Sequence, residues 1–559
     1  MIKASKWFRQ EGSQWVIFWL LGGLILRGFM AFWLYPGFDE AYYFLYSQHL
    51  DWSYFDHPVL VAITTGLGPW LTGIVSQFTI RIGTLILYTG SLFLLYLTSA
   101  KLFNLQTARL TLAIASIIPI FQIGFGILTL PDSPLIFFWS AGLYCAVCEF
   151  FPQQTLKKQN IKNQDRFPIP HSPFPIPYFP TYRLAILGIL VGLACLGKYH
   201  GFLLGLGLVG FCLTSRQHRR AMLSPWCWLG LILFMLTLFP LWWWNFHHDW
   251  ISFRFQLSSR FESHLDIPKE GGFNPLNMGT VFLAEVGYLF PTMGLPLWWI
   301  SWRSLAAQFR VKRTDLGTKQ LLNLWVSLPL TIGFTVLGGF QPILPTWPQP
   351  GFWGLTLLLG DRAFIWQRQS RRRVRKWLTL SAIAITSILL LILLHITTGT
   401  LQKNSQYALL GGFVNAKDDP SVELIDIKQL RRGFTESPVL FQALNNSSFI
   451  FTNQYYLGGY ISMAVAPLTD IPVTCFGDDV RGFAYWSQPE EWLGRDGLYI
   501  TIEKFQQISW LTSTYSYYFR DFQEIGTIPI KRGGTITAIF HIYRGQQLLH
   551  PYSFKLGKS

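Results

Sequence analysis

Two adjacent carboxylates, Asp39 and Glu40, follow the first long apolar run of the chain, and a third, Asp56, stands beside His57 in the same segment. Residues 36–80 contain no Lys or Arg, although the chain has a formal net charge of +16. Placing a carboxylate close to membrane hydrocarbon costs free energy. This cluster at the end of an apolar run is therefore predicted to be a functional site. The chemistry that fits it is proton abstraction by a carboxylate acting as a general base.

Aromatic side chains, Tyr54 among them, accompany these carboxylates. Carboxylates combined with aromatic rings suit the binding of a sugar. Asp39 also precedes the predicted helical stretch 40–49, so it can serve as an N-cap. On a helix the two adjacent carboxylates point about 100° apart. We therefore expect Asp39 to face the site and Glu40 to brace it, and we predict Asp39, Glu40 and Asp56 as the catalytic residues.

Cations predicted at the same membrane face are few, which makes them candidates to hold a lipid phosphate by charge-assisted hydrogen bonds. Lys198 is the strongest candidate, because the glycines that flank its turn let the backbone approach a ligand. Arg81 also has a simpler possible role, since its side chain can extend to the lipid headgroups. The nearby carboxylate of Asp132 can likewise serve only to cap a helix. The residues predicted to bind a sugar or a lipid phosphate are Lys198, Arg81, His57, Tyr54, Asp132, His200 and Arg254.

The composition is that of a polytopic membrane protein. Of the 559 residues, 50% are hydrophobic and 13% are charged, whereas soluble domains average about 25% charged residues. The basic residues lie in short segments between apolar runs, as the positive-inside rule requires. This placement argues against a nucleic-acid partner.

Eleven apolar runs are long enough to be candidate membrane spans. The distribution of Lys and Arg places the N-terminus in the cytoplasm and the C-terminal part outside, in the inner or plasma membrane. The predicted spans lie near residues 15–35, 80–100, 107–128, 134–151, 183–197, 200–214, 222–244, 279–302, 320–338, 351–366 and 377–397.

The predicted fold is an all-α membrane domain over 1–400, followed by a soluble α/β or α+β domain over 401–559. Within the first domain, 36–79 forms the first outside loop and 152–182 a proline-rich cytoplasmic loop. Short β-type runs near 448–452, 498–502 and 535–543 predict strands in the second domain. The six cysteines predict neither a disulfide framework nor a metal site, and a requirement for a divalent metal has no support in the sequence.

An ordered series of short motifs resembles the bacterial GT-C glycosyltransferases, the membrane enzymes related to protein O-mannosyltransferases and to the aminoarabinose transferases of lipid A. The series covers most of the chain. It comprises the segments at 38–43, 52–58, 80–83, 131–135, 197–201, 248–256, 345–348 and 475–486.

This resemblance implies inverting transfer of a sugar from a polyprenyl-phosphate carrier to an acceptor hydroxyl on the extracytoplasmic face. It implies that Asp39 is the general base, that Asp56 and His57 lie near the sugar, and that Lys198 and Arg81 hold the donor phosphate. The acceptor can be a glycolipid, a polysaccharide or a protein, and the oligomeric state is open.

Two departures from the family pattern concern the donor, since Leu344 and Thr346 replace a Lys and a His found in relatives. Two other functions compete with transfer. A lipid or glycan transporter would usually show repeats and charges near the membrane midplane. A membrane-anchored binding protein would leave the acidic loop unexplained.

Overall fold

The computed structural model describes residues 11–152, 178–259, 272–309, 315–506 and 509–552. Most of the predicted proline-rich loop at 152–182 therefore lies outside the described residues. The described chain forms a helical part followed by a smaller part that contains a mixed sheet.

The helical part is built from mostly apolar helices. Five of them are long and apolar enough to cross a membrane, and up to seven spans result if each of two bent helix pairs counts as one. Four further apolar helices are shorter. The helices are α1 (Glu11–Trp33), α2 (Phe38–Gln48), α3 (Leu60–Thr72), α4 (Ile82–Leu102), α5 (Leu105–Ile117), α6 (Asp132–Phe150), α7 (Arg183–Gly197), α8 (Gly201–Thr214), α9 (Pro225–Thr237), α10 (Phe239–His247), α11 (Ile251–Arg254), α12 (Pro275–Tyr288), α13 (Pro291–Gln308), α14 (Asp315–Leu337), α15 (Gln349–Gln369) and α16 (Arg371–Thr398).

Each of the eleven predicted spans contains helix, but three of them are interrupted beside a proline. The run near 107–128 stops being α-helical at Ile117, because Ile118 precedes a proline and is extended. The α9–α10 pair bends by 45°, and the α12–α13 pair bends by 119° at Phe290, whose φ is +67°. Proline disfavours a helical conformation in the residue before it, which explains the breaks at Ile118 and Phe290. The α9–α10 break lies just before Pro240 in the first turn of α10, and this proline has no N–H with which to continue the hydrogen bonds of α9.

The predicted outside loop at 36–79 is folded rather than extended. It contains α2 and α3 and a 3-10 turn at Thr79–Arg81 that leads directly into α4. We call the end of the helix bundle at which this segment lies the loop end.

The C-terminal part surrounds a five-stranded sheet of order β2-β1-β3-β5-β4, in which β1 pairs in parallel with β2 and β3 while the other pairings are antiparallel. All three strands predicted from sequence are present, and β2 and β4 are additional. The strands are β1 (Phe449–Thr452), β2 (Val473–Cys475), β3 (Gly497–Ile502), β4 (Phe519–Arg532) and β5 (Thr535–Leu548), and the helices are α17 (Ile427–Glu436), α18 (Pro438–Asn446), α19 (Tyr455–Val465), α20 (Phe483–Trp486), α21 (Glu503–Gln506) and α22 (Ser509–Tyr518).

Helix α19 joins the C-terminal part to the loop end by packing directly against α2. The two backbones approach so closely at Gly459 that a Cβ there would lie 2.3 Å from the carbonyl carbon and oxygen of Ala41. The hydroxyl of Tyr460, the next residue, donates to the carbonyl of Glu423 at 2.7 Å and also lies 3.1 Å from the carbonyl oxygen of Pro36. The C-terminal part is thus fixed to the segment that carries Asp39.

We expect Gly459→Ala to destabilise this contact, because the clash involves backbone on both sides and can be relieved only by separating α19 from α2. Overpacking of this kind typically costs about 1–3 kcal/mol. A lower thermal unfolding midpoint and faster proteolysis near the α2–α19 contact would be the result. Gly279→Ala in α12 is the matched control, since a Cβ there meets no atom within 4 Å. Equal behaviour of the two variants would contradict the close contact.

Candidate functional site

Glu40 and Arg81 form a buried ion pair at the base of the loop end. The Arg81 guanidinium donates to both carboxylate oxygens of Glu40, at 2.8 Å from Nε and 2.6 Å from Nη2. The side chains of Arg81 and Glu40 are 0% and 1% exposed. Backbone N–H groups of Gly37 and Thr129 also donate to the carboxylate, each at 2.9 Å.

The same guanidinium donates to backbone carbonyls at the end of α1 and just beyond it. These are the carbonyls of Ala31, Leu34 and Tyr35, at 2.9, 2.6 and 3.1 Å. Arg81 therefore ties α1, the loop helix α2 and α4 together. This enclosure favours a bracing role for Arg81, as expected for Glu40, over contact with a donor phosphate.

Asp56 is also buried and is paired across the junction with the C-terminal part. One of its carboxylate oxygens accepts from Nη1 of Arg481 at 3.1 Å, and the other accepts from the hydroxyl of Tyr46. Sequence reasoning placed Arg481 in a family-like motif but gave it no role. Asp56 and Arg481 are 425 positions apart, and only the fold makes them partners.

Arg481 is held in a conformation that requires support. Its backbone φ is +45°, in the left-handed region that residues other than glycine rarely adopt. Its guanidinium lies 3.8 Å from the ring centre of Tyr455. Burial alone would lower the pKa of Arg481, but the charges of Tyr455, Asp56 and Asp479 raise it above its ordinary value, so the cation is firmly protonated. Strained residues of this kind concentrate at functional sites.

Asp39 lies in the first turn of α2 and is half-buried. Its charge reaches two tyrosines of α19. Burial is the main cause of the raised pKa values of Tyr455 and Tyr460, and the charge of Asp39 adds to both. Asp39 and Asp56 therefore both act on one tyrosine, Tyr455, since the charge of each carboxylate raises the pKa of its phenol.

The segment around α10 and α11 fastens the second half of the loop. Ser252 Oγ donates to the carbonyl of Tyr54 at 2.9 Å, and Gln256 Nε2 donates to the carbonyl of Asp56 at 2.6 Å. Tyr54 stacks on Tyr46 with ring centres 3.9 Å apart and is buried. Tyr54, which was predicted to bind the donor, therefore also packs in the core of the loop. His57 is buried beside Tyr43, with ring centres 5.5 Å apart.

Lys198 and Asp132 form a third ion pair of the loop end. The Lys198 ammonium donates to both Asp132 oxygens, at 2.9 and 2.8 Å, although the two residues are 66 positions apart. An ammonium has three N–H donors, so a third remains for a ligand. Burial raises the pKa of the phenol of Tyr199, the next residue, and the charge of Asp56 adds to the shift. The Lys198 turn therefore lies beside the Asp56 cluster.

Two predicted residues of the site remain, His200 and Arg254. His200 begins α8 and stacks on Phe334, with ring centres 5.2 Å apart. Arg254 is exposed in α11, and its charge acts on Tyr485 of α20. In the parts of the chain that the structure describes, no group of three or more His, Cys, Asp or Glu residues is placed to hold a metal ion.

Residues 56–155 match the sequence model of the dolichyl-phosphate-mannose-protein mannosyltransferase family. No curated protein sequence matches the chain. The matched segment begins at Asp56 and includes His57, Arg81 and Asp132, so four of the predicted site residues lie in it.

The fold is similar to that of ArnT from Cupriavidus metallidurans. The apo structure aligns with a TM-score of 0.59 at 14% identity, and the structure bound to undecaprenyl phosphate aligns with a TM-score of 0.55 at 13% identity. Each alignment covers 95% of this chain and 98% of the ArnT chain. The oligosaccharyltransferase of Archaeoglobus fulgidus aligns with a TM-score of 0.43 at 11% identity over 84% of this chain and 64% of its own.

These comparisons confirm three predictions. The chain has an ArnT-like fold with an all-α membrane part and a C-terminal soluble part. The resemblance to this group of glycosyltransferases is found in the sequence of residues 56–155 and in the fold. Together with the apolar helices, the family segment confirms a membrane protein.

Proposed function

We propose that this chain, a membrane protein with a mannosyltransferase-type segment in an ArnT-like fold, transfers a sugar from a polyprenyl-phosphate carrier to an acceptor hydroxyl. One observation carries the proposal. The loop end gathers the half-buried carboxylate of Asp39, the ion pair of Asp56 with Arg481, and the ion pair of Lys198 with Asp132. A base for a hydroxyl and a cation for a phosphate are the two groups that such a transfer needs.

The donor assignment rests on Lys198 and on the related fold. ArnT from Cupriavidus metallidurans, whose fold is similar, has a structure bound to undecaprenyl phosphate. A polyprenyl phosphate is a lipid anion that a buried ammonium can bind. Asp132 orients Lys198 through two hydrogen bonds and leaves its third N–H to the donor phosphate. The same contact would stabilise the phosphate as it leaves.

Asp39 acts as the general base in this mechanism. Its carboxylate takes the proton of the acceptor hydroxyl while the hydroxyl oxygen forms a bond to the anomeric carbon of the sugar. The bond from that carbon to the phosphate oxygen breaks at the same time, and polyprenyl phosphate leaves with the bonding electrons. A single displacement of this kind inverts the anomeric centre.

Asp56 and Glu40 are assigned positioning roles instead of the catalytic roles predicted from sequence. Each is buried and neutralised by a guanidinium, Arg481 in one case and Arg81 in the other. A carboxylate held this way is a poor proton acceptor, because protonation would break the ion pair. Asp56 links the loop to the C-terminal part, and Glu40 fixes the helix that carries Asp39.

The acceptor is a hydroxyl of a glycolipid, a polysaccharide or a protein, and transfer takes place at the extracytoplasmic face. In this orientation the N-terminus is cytoplasmic and the C-terminal part extracytoplasmic. The comparison with ArnT and the family segment favour an enzyme over the transporter or flippase considered from sequence.

Mass spectrometry of envelope glycolipids and glycoproteins tests this proposal. A strain that lacks the protein should lose one sugar increment from one acceptor class, and the wild-type chain should restore it. Expression of Asp39→Asn should leave the increment missing. Identical envelopes in all strains would overturn the proposed function.

A separate prediction concerns Lys198. We expect Lys198→Gln to raise the donor KM about 10–100-fold, because a hydrogen bond to a charged group contributes about 1.5–3 kcal/mol. The acceptor KM should change little. Initial rates at varied donor concentration measure the effect, with the exposed Lys403→Gln as the charge-matched control. An unchanged donor KM would remove Lys198 from the phosphate site.

A further inference from the structure

An arginine-lined cavity lies at the end of the helix bundle opposite to the loop end. Its volume is about 860 Å³, it is open on one side, and its lining residues come from α1, α5, α15 and α16. Four cations line it: Arg109, Arg368, Arg371 and Arg375. The site described above does not use any of these residues.

Two helices place this cavity far from the transfer site. In α16 the cavity residues belong to the N-terminal half, whereas His395 near the other end bonds to Asp419 of the C-terminal part. The stretch from Arg375 to His395 spans about 30 Å at 1.5 Å per helical residue. Helix α1 leads to the same conclusion. Trp15 and Trp19, near the start of this helix, line the cavity, whereas the carbonyl of Ala31, near its end, accepts a hydrogen bond from Arg81.

The cations of the cavity have no carboxylate partner among the described residues. Within the described ranges none of the four arginines pairs with a carboxylate or donates a hydrogen bond, and Nε of Arg109 is buried without a partner. Like charges gathered in one cavity repel one another, and an anion that accepts several N–H donors relieves this repulsion. Arginine presents a fork of donors that matches the oxygens of a phosphate.

The cavity becomes apolar along the helices that carry the arginines. On α5 the lining continues from Arg109 to Ala113 and Ile117, and on α16 it continues from Arg375 to Ala382 and Ile383. Each stretch extends about 12 Å from the cations at the helical rise. A charged mouth with an apolar wall of this length fits a molecule that has an anionic head and a hydrocarbon chain.

We propose that this cavity binds a phosphate-headed membrane lipid, with the phosphate among the four arginines and an acyl chain along α5 and α16. Basic pockets between membrane helices are suited to anionic headgroups. The site is distinct from the donor site, because it lies at the other end of the bundle. The proposal does not depend on the proposed transfer reaction.

Native mass spectrometry of the delipidated full-length protein tests this site. The probe is phosphatidylglycerol added at a fixed ratio, with zwitterionic phosphatidylcholine as the comparison lipid. We expect wild-type protein to retain phosphatidylglycerol and the double variant Arg371→Gln/Arg375→Gln to retain about tenfold less. The matched control is Arg372→Gln/Lys376→Gln, which removes two charges at the same spacing on the same helix but outside the cavity lining.

The outcomes separate the possible ligands. Equal losses in the two double variants would show a general surface-charge effect and overturn the proposal, as would equal retention of the two lipids. Displacement of the lipid by inorganic phosphate at equal concentration would assign the site to free anions and overturn the lipid part. If the arginine variant does not fold, Ala113→Phe fills the apolar wall without removing a charge, and it should also lower lipid retention.

Discussion

Asp39→Asn is expected to lower the rate of sugar transfer by about 10²–10⁴-fold, the range that general-base assistance usually supplies. The amide has nearly the shape of the carboxylate but cannot accept the proton of the acceptor hydroxyl. Single-turnover transfer at saturating donor and acceptor measures this step, because substrate binding then does not limit the rate.

The loss must come from chemistry and not from folding. Asp39 is only half-buried and lies in the first turn of α2, so the variant should insert and unfold as the wild-type protein does. Asp470→Asn, an exposed carboxylate in the C-terminal part, is the control and should retain full activity. A wild-type transfer rate in Asp39→Asn would exclude Asp39 as the base.

Arg81→Met is expected to produce the largest loss of stability. The substitution leaves Glu40 buried without its counter-charge and removes the donors to three backbone carbonyls. Breaking one side of a buried ion pair typically costs about 3–5 kcal/mol. Thermal unfolding of the purified protein should show a markedly lower midpoint, with activity lost because α2 no longer holds Asp39 in place.

The double variant Arg81→Met/Glu40→Gln distinguishes the ion pair from simple packing. Replacing the carboxylate by a neutral amide removes the stranded charge, so the double variant should be more stable than Arg81→Met alone. Arg254→Met, at an exposed position of α11, is the control for loss of an arginine. A double variant that is no more stable than the single one would argue against the buried pair.

Much of the architecture was predictable from periodicity and composition. Every predicted span contains helix, because long apolar runs leave few other ways to satisfy the backbone in a membrane. The breaks were not predicted, since apolar runs continue through Ile118 and Phe290 while the following prolines interrupt the helix. Strand β4 was missed because it carries Gly526 and Pro529, which a sheet tolerates in its edge strand.

The residues of the candidate site were chosen from the sequence, but their contact partners could not be. Asp132 and Lys198 were both singled out, yet nothing in a sequence without homologues joins residues so far apart. Arg81 was assigned to a phosphate because its charge stands beside a membrane face, whereas the fold encloses it with Glu40. Arg481 was missed because its importance comes from tertiary contacts to Asp56 and Tyr455.

The most direct test of the transfer reaction is the release of polyprenyl phosphate from a polyprenyl-phosphate-linked sugar by the purified protein. Wild-type protein with donor and an acceptor extract should release polyprenyl phosphate in step with the appearance of a glycosylated acceptor, and Asp39→Asn should release almost none. If wild-type protein releases no polyprenyl phosphate from any donor sugar in the presence of an acceptor that restores envelope glycosylation, the proposed transfer from this carrier is wrong.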